Sequence, residues 1–273
     1  MKVSLLSLGA VLLLGSSLAP RLTGAAGVLL RYHFVAGQVI TYRVTRTARL
    51  TEREGSQPAS TATESQTFLA HYQFGHLRAD GAASLTVRVD HMVARLTQAG
   101  KTTHPVTSPS ATQFLQEPNG RRYTRDHRYY GAYSAGDLGA LSPVTVAVGS
   151  AWVSTLTDGG LILIDKPGTA VTCHNTLVGF VQVLERVADI QTVCSIRVHG
   201  ESTVKGKRYR FLGSDSLSGR WRFAVRSGRF LSQRLQETIT EDGTVHDATG
   251  VRSFSARVTQ TTVQQLVSVT PRP

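Results

Sequence analysis

The chain has 273 residues and a formal net charge of +12, with nine histidines and two cysteines. A chain of this length buries a full core without cross-links, and the two cysteines lack the spacing of a zinc site. The positive excess is carried by 25 arginines against five lysines, and asparagine occurs only at Asn119 and Asn175. This skew fits the coding bias of a GC-rich genome on a solvated surface. It also offers attraction to polyanions such as lipid headgroups, acidic polysaccharide or wall polymers.

The first predicted element is a leader. Lys2 precedes an apolar run over residues 3–15, and small residues follow as far as Ala25 and Ala26. A positive start, a short apolar middle and a small-residue end are the order of a secretory signal peptide, expected over 1–26. The run is shorter than the roughly 20 residues that span a bilayer, and Gly and Ser interrupt it. No later stretch is long enough; Leu161-Ile162-Leu163-Ile164 stops at Asp165. No cysteine follows the leader directly, so anchoring through a lipidated N-terminal cysteine is not expected. The expectation is a secreted or periplasmic protein with no transmembrane span after leader removal. Loss of Lys2 and Arg21 leaves a charge of about +10.

Residues 27–273 read as a single β-rich domain. Ile40, Tyr42, Val44, Ala48 and Leu50 share one parity, and Thr41, Arg43, Thr45, Thr47 and Arg49 share the other. One face is therefore apolar and the other wet and basic, with Arg46 interrupting the apolar row at a possible bend. Leu85, Val87 and Val89 line one face, after which Met92, Ala94 and Leu96 take the opposite parity. That phase change predicts a β-bulge near His91. Turn signals fall at Ala36-Gly37, Gly55-Ser56, Asp80-Gly81, Ala99-Gly100, Ser227-Gly228 and Asp242-Gly243. The least regular stretch, about 103–143, holds Pro105, Pro109, Pro118 and Pro143. It reads as a crossover, with short helical candidates at 109–116 and 134–141. Residues 31–40 echo 222–231, each as strand, Gly turn, strand.

Cys173 and Cys194 form a possible disulfide, since export permits one. A turn at Glu185-Arg186-Val187 would put Cys194 opposite residue 179, with Cys173 about 20 Å further along the strand. A bond then requires another turn or an intervening bend.

Catalytic signatures are sparse, and no catalytic residue, metal or cofactor is expected. No His-x-x-x-His, Gly-x-Ser-x-Gly or phosphate-cradling Gly loop is present. His71 and His76 flank Gly75, read as a turn, without a third ligand. Ser202-Thr203-Val204-Lys205 matches Ser-x-x-Lys, but in a strand the two ends face opposite sides. Glu237, Glu241, Asp242 and Asp247 read as solvated acids around one hairpin. The densest polar cluster spans Arg121, Arg122, Arg125, Arg128 and Tyr129. Guanidinium forks and rings of this kind hold anionic sugar or phosphate groups. Export makes nucleic acid an unsuitable partner.

Two stretches resemble known sequences. Leu30-Arg31-Tyr32-His33-Phe34-Val35-Ala36-Gly37-Gln38-Val39-Ile40 is similar to the opening of a loose set of exported bacterial proteins of unknown function. Val146-Ala147-Val148-Gly149-Ser150-Ala151-Trp152 looks like their central Val-x-Val-Gly-x-x-Trp stretch. These proteins resemble in outline the periplasmic lipoprotein-carrier and mycobacterial lipoprotein folds. The resemblance implies a half-barrel that shelters acyl chains, and it transfers no catalytic residue.

The resulting expectation is an all-β protein, with at most one or two short helices, built as a strongly curved antiparallel sheet or incomplete barrel. Its expected role is non-catalytic binding of a lipid-like or other hydrophobic molecule in the curve. Trp152, Phe180, Trp221 and Phe223 are the candidate lining residues. The alternatives are a basic module that binds acidic polysaccharide or another anionic surface, and a hydrolase with an unrecognised site.

Overall fold

Inward apolar and outward polar side chains alternate along almost every strand, and this pattern builds a single antiparallel sheet. The structure, a computed structural model, describes residues 27–104, 110–123, 140–157, 170–204 and 206–271. The leader at 1–26 lies outside the described residues. The strands are β1 (Val39–Glu54), β2 (Ser60–Leu77), β3 (Ala83–Gln98), β4 (Lys101–Thr103), β5 (Ser110–Gln116) and β6 (Arg122–Tyr123). They continue with β7 (Ala151–Thr157), β8 (Ala170–Gln182), β9 (Arg186–Val204), β10 (Lys207–Ala224), β11 (Arg229–Asp247) and β12 (Gly250–Thr270).

The sheet order is β6-β5-β3-β2-β1-β12-β11-β10-β9-β8-β7, with β4 added to β3. The first and last strands pair along their length, from Val39↔Thr270 to Glu54↔Phe254. Two meanders therefore run outward from a central β1–β12 pair, and the open edges, β6 and β7, fall in mid-chain. This is the neighbour order of an up-and-down barrel left open at one seam.

Side-chain size changes along the strands. At the end where β1 begins, Tyr42, Phe74, Leu85, Phe114, Trp152, Leu177, Ile190, Trp221 and Phe223 form one buried cluster. The segment before β1 crosses this end. Val28 exchanges backbone hydrogen bonds with Val146, Tyr32 N–H donates to the Pro118 carbonyl at 2.7 Å, and His33 N–H donates to the Gly228 carbonyl at 3.1 Å. Leu30 is thereby fully buried, and Tyr32 meets Phe223 edge to face at 5.1 Å. At the opposite end, Tyr209, Phe211, Val245 and Phe254 form a smaller cluster.

The regular pairing is interrupted at a bulge beside His91 and tightened at Gly243. His91 takes φ 50° and the β2–β3 pairing shifts beside it, so Met92, Ala94 and Leu96 turn inward as the alternation predicts. Gly243, expected in a turn, lies instead within β11 opposite Phe211, and the turn comes at 248–249. A Cβ at Gly243 would overlap the Arg210 carbonyl, so this glycine permits a close backbone approach.

Several expectations are corrected. Residues 110–116 are strand, pairing with Ala83–Val89; Phe114 and Gln116 turn inward to cover the β3 edge, which a helix would leave unpaired. The crossover at 103–143 thus contributes β5 and β6 to the sheet. The second helical candidate lies outside the described residues except for Ala140 and Leu141, which are not helical. At Arg46 the pairing with β2 and β12 runs without a register shift, and the side chain faces inward and donates to Gln260 Oε1 at 2.6 Å. Residues 31–35 are not strand but form the crossing segment, so the echo of 222–231 is shared only from the Gly turn onward, where Gly37 and Gly228 both take positive φ and lead into a strand. Gly75 is within β2, not a turn.

Cys173 and Cys194 are direct partners on β8 and β9 and are joined, with Cα atoms 4.2 Å apart. The anticipated 20 Å offset is absent for two reasons. The turn falls at 183–185, since Gln182 pairs with Arg186, and a further register shift occurs between Leu177 and Gly179.

Candidate functional site

Three of the four residues expected to line a hydrophobic hollow are packed core. Trp152, Trp221 and Phe223 are 9%, 1% and 0% exposed. Trp152 Nε1–H donates to the Ala140 carbonyl at 2.9 Å and Trp221 Nε1–H to Thr192 Oγ1 at 3.0 Å. Thr192 in turn donates to Asn175 Oδ1 at 2.6 Å, and Asn175 Nδ2 donates to Ser154 Oγ at 2.9 Å. The chain satisfies four buried polar groups across β10, β9, β8 and β7 and fixes the indole. Phe180 is half-buried beneath the Arg186 guanidinium, 3.5 Å from its ring centroid. The cavity left among Tyr32, Phe34, Tyr42, Tyr72, Trp221 and Phe230 is about 40 Å³, room for no more than a few waters. Burial pushes the Tyr32 phenol up to about 12, so it stays neutral there.

The arginine–tyrosine cluster divides. Arg122 is buried, 8% exposed, with its guanidinium 5.1 Å from the Tyr72 ring and its Nε–H donated to Gln116 Oε1 at 3.1 Å. It is therefore part of the core rather than an open anion site. Arg121 is exposed on the turn, and Arg125, Arg128 and Tyr129 lie outside the described residues.

Two groupings were missed in the sequence. Thr41, His71 and Asp90 align on β1, β2 and β3. His71 Nε2 is 2.8 Å from Asp90 Oδ1, and His71 Nδ1 is 2.9 Å from Thr41 Oγ1. The hydroxyl–imidazole–carboxylate order is that of an acyl-transfer relay. Thr41 is only 8% exposed, however, so substrate has little access to its hydroxyl, and the relay cross-links three strands. The second grouping corrects the solvated-hairpin reading. Glu237 and Glu241 face inward on β11, 8% and 3% exposed, and flank the position of buried Asp215 on β10. Glu237 accepts from Gln260 Nε2 at 3.0 Å. Burial raises the Glu241 carboxyl to about 7.

Among the described residues, a broad open concavity lies on the outer face. It encloses about 740 Å³ over β3, β2, β1, β12 and β11. Register explains its chemistry. Thr97, Thr63, Arg49, Thr259 and Thr238 are successive direct partners across those five strands. The same row continues through Ser216, Ser195, Thr172 and Thr155 as far as β7. The adjoining row is Arg95, Ser65, Thr47, Thr261 and Gln236. Alternation thus brings hydroxyls and two arginines to one surface, while Glu64 and Glu237, which also border the groove, belong to the inward-facing parity. The sequence signal was the polar parity of each strand; only the pairing shows that the rows coincide.

No family model and no curated protein matches the chain. Among solved structures, the chain is similar to OccK7 (OpdD) of Pseudomonas aeruginosa at 7% identity, over 85% of this chain and 99% of that one, with a TM-score of 0.26. OpdQ of the same organism matches at 7% identity over 84% and 98%, with a TM-score of 0.25. OccK11 (OpdR) matches at 9% over 88% and 100%, with a TM-score of 0.26. At these scores the likeness does not define a shared arrangement.

Proposed function

We propose that this is an exported, non-catalytic binding protein whose outer groove takes an extended anionic polymer such as an acidic polysaccharide. The observation that carries this reading is the alignment of Arg49 and Arg95 with two rows of hydroxyls over a 740 Å³ groove. Guanidinium groups bind carboxylate or sulfate oxygens in forked pairs, and hydroxyls both donate to and accept from sugar hydroxyls. Neighbouring strands are about 4.8 Å apart, so the row offers a regular series of contacts to a chain lying across them. Over the groove the outward face is hydroxyl- and arginine-rich, while the inward face is aromatic at the end where β1 begins and carries Arg46, Asp215, Glu237 and Glu241 further along.

Capture of an acyl chain within the curve is the weaker reading, because the aromatic end retains about 40 Å³, whereas small-ligand pockets run to roughly 300–1,000 Å³. The test is retention on immobilised polygalacturonate or dextran sulfate, with neutral dextran as control. Binding to the charged polymers that weakens steeply with salt supports the proposal. No retention at low salt, or equal retention on neutral dextran, sinks it.

A further inference from the structure

The turns at the end where β1 begins carry aliphatic side chains that the core leaves outside. Leu184 at the β8–β9 turn is 93% exposed and Val183 beside it 70%. The crossing segment presents Leu29 and Val35, and the loop before β7 presents Val144 and Val148, all exposed. Arginines stand among them: Arg31 on the crossing segment, Arg78 after β2, Arg121 before β6 and Arg226 after β10, each exposed. Among the described residues three acids stand at this end, Asp80, Glu117 in the β5–β6 turn and Glu185, and two of them are engaged. Asp80 pairs with Arg78 at 2.8 Å, and Glu185 accepts the Ser227 N–H at 2.8 Å. The turns are held by backbone hydrogen bonds, including Val28 N–H to Val146 at 2.8 Å, His33 N–H to Gly228 at 3.1 Å and Val225 N–H to Arg186 at 3.0 Å.

From this combination we infer that this end docks on an anionic bilayer surface, with the Val183–Leu184 tip entering the headgroup layer and the arginines meeting phosphates. Separate aliphatic tips spaced by guanidinium groups suit an interface that is apolar below and negative above. A protein partner would instead favour a continuous apolar patch. The surface is distinct from the outer groove, which lies over the middle of the strands, and it does not depend on that groove binding a polymer.

The experiment is co-sedimentation of the protein with vesicles of phosphatidylglycerol and phosphatidylethanolamine, compared with phosphatidylcholine alone. The protein is expected to bind the anionic vesicles and to bind phosphatidylcholine at least about tenfold more weakly. Val183→Glu with Leu184→Glu should weaken binding to the anionic vesicles about tenfold or more, as should Arg31→Glu with Arg226→Glu. Arg49→Glu with Arg95→Glu, in the groove, should leave vesicle binding within about threefold. The inference is overturned if the protein does not sediment with anionic vesicles at low salt or binds both lipid surfaces equally. It is also overturned if neither end variant weakens binding, or if only the groove variant does. The arginine variant keeps the test decisive should the tip variant fail to fold.

Discussion

Lys207 at the start of β10 donates to both carboxylate oxygens of Glu54 at the end of β1, at 2.9 and 2.8 Å, although β12 and β11 lie between those strands. A flat sheet would hold the two strands about 14 Å apart, so this contact measures the curl. Tyr209 donates to the same carboxylate at 3.2 Å, and Arg252 stands 3.6 Å from it.

The Lys207 hydrogen bond, against the opposing effect of burial, holds the Glu54 carboxyl below its usual range. A depressed acid stabilises the fold above its unfolded pKa, and the contribution is lost as pH falls through the lower, folded value. Glu54→Gln should therefore lower the thermal midpoint at pH 7 and make little difference once Glu54 itself is protonated. Because the site is partly solvated, the loss at pH 7 should be below about 1 kcal/mol. Melting curves of both proteins across the acid range check this.

Glu241 behaves in the opposite sense. Its folded pKa is raised to about 7 by burial, so the folded state binds the proton more tightly and stability falls as pH rises from its unfolded pKa towards 7. Glu241→Gln should stabilise the protein at pH 8 by on the order of 1–2 kcal/mol, allowing for screening by water, and have little effect near pH 4. Urea titrations at the two pH values distinguish this from a general packing change.

Reduction of the Cys173–Cys194 bond, which closes a sequence separation of 21 residues, should cost about 2–3 kcal/mol. Chemical denaturation with and without reductant measures it. An unchanged midpoint under reductant would show that the neighbouring strand pairs alone hold β8 and β9 in place.

In the groove, Arg49→Ser with Arg95→Ser should weaken retention on polygalacturonate by about tenfold or more, since two charge-assisted contacts are lost. Thr259→Val or Thr238→Val should cost no more than about threefold each, the scale of one neutral hydrogen bond. Elution salt concentration reads both. Arginine variants that elute with the wild type would remove the groove from the account.

Gly243→Ala should destabilise the fold by about 2 kcal/mol or more, since the added carbon meets the Arg210 carbonyl and the strands must separate. The same change at Gly100, where a Cβ meets nothing within 4 Å but φ is +75°, should carry only the milder cost of a left-handed backbone. Paired melting curves test the difference.

The alternation of Tyr42 and Val44 against Arg43 and Thr45, the phase change at His91, and Trp221 with Phe223 were legible without coordinates, because side chains on a strand alternate whatever the strand pairs with. They defined an all-β chain with one apolar face and one wet, basic face. What alternation cannot supply is the neighbour. Cys173 meets Cys194 only because a turn falls two residues earlier than the local signals place it and a bulge adds one more step. Glu237 and Glu241 looked like hairpin acids until Gly243 proved to lie within β11, so their burial became visible only in the folded strand. Arg49, Arg95 and the threonines around them are far apart in the chain. Their common surface exists because β1 pairs with β12, a contact between the two ends of the domain that local periodicity does not encode.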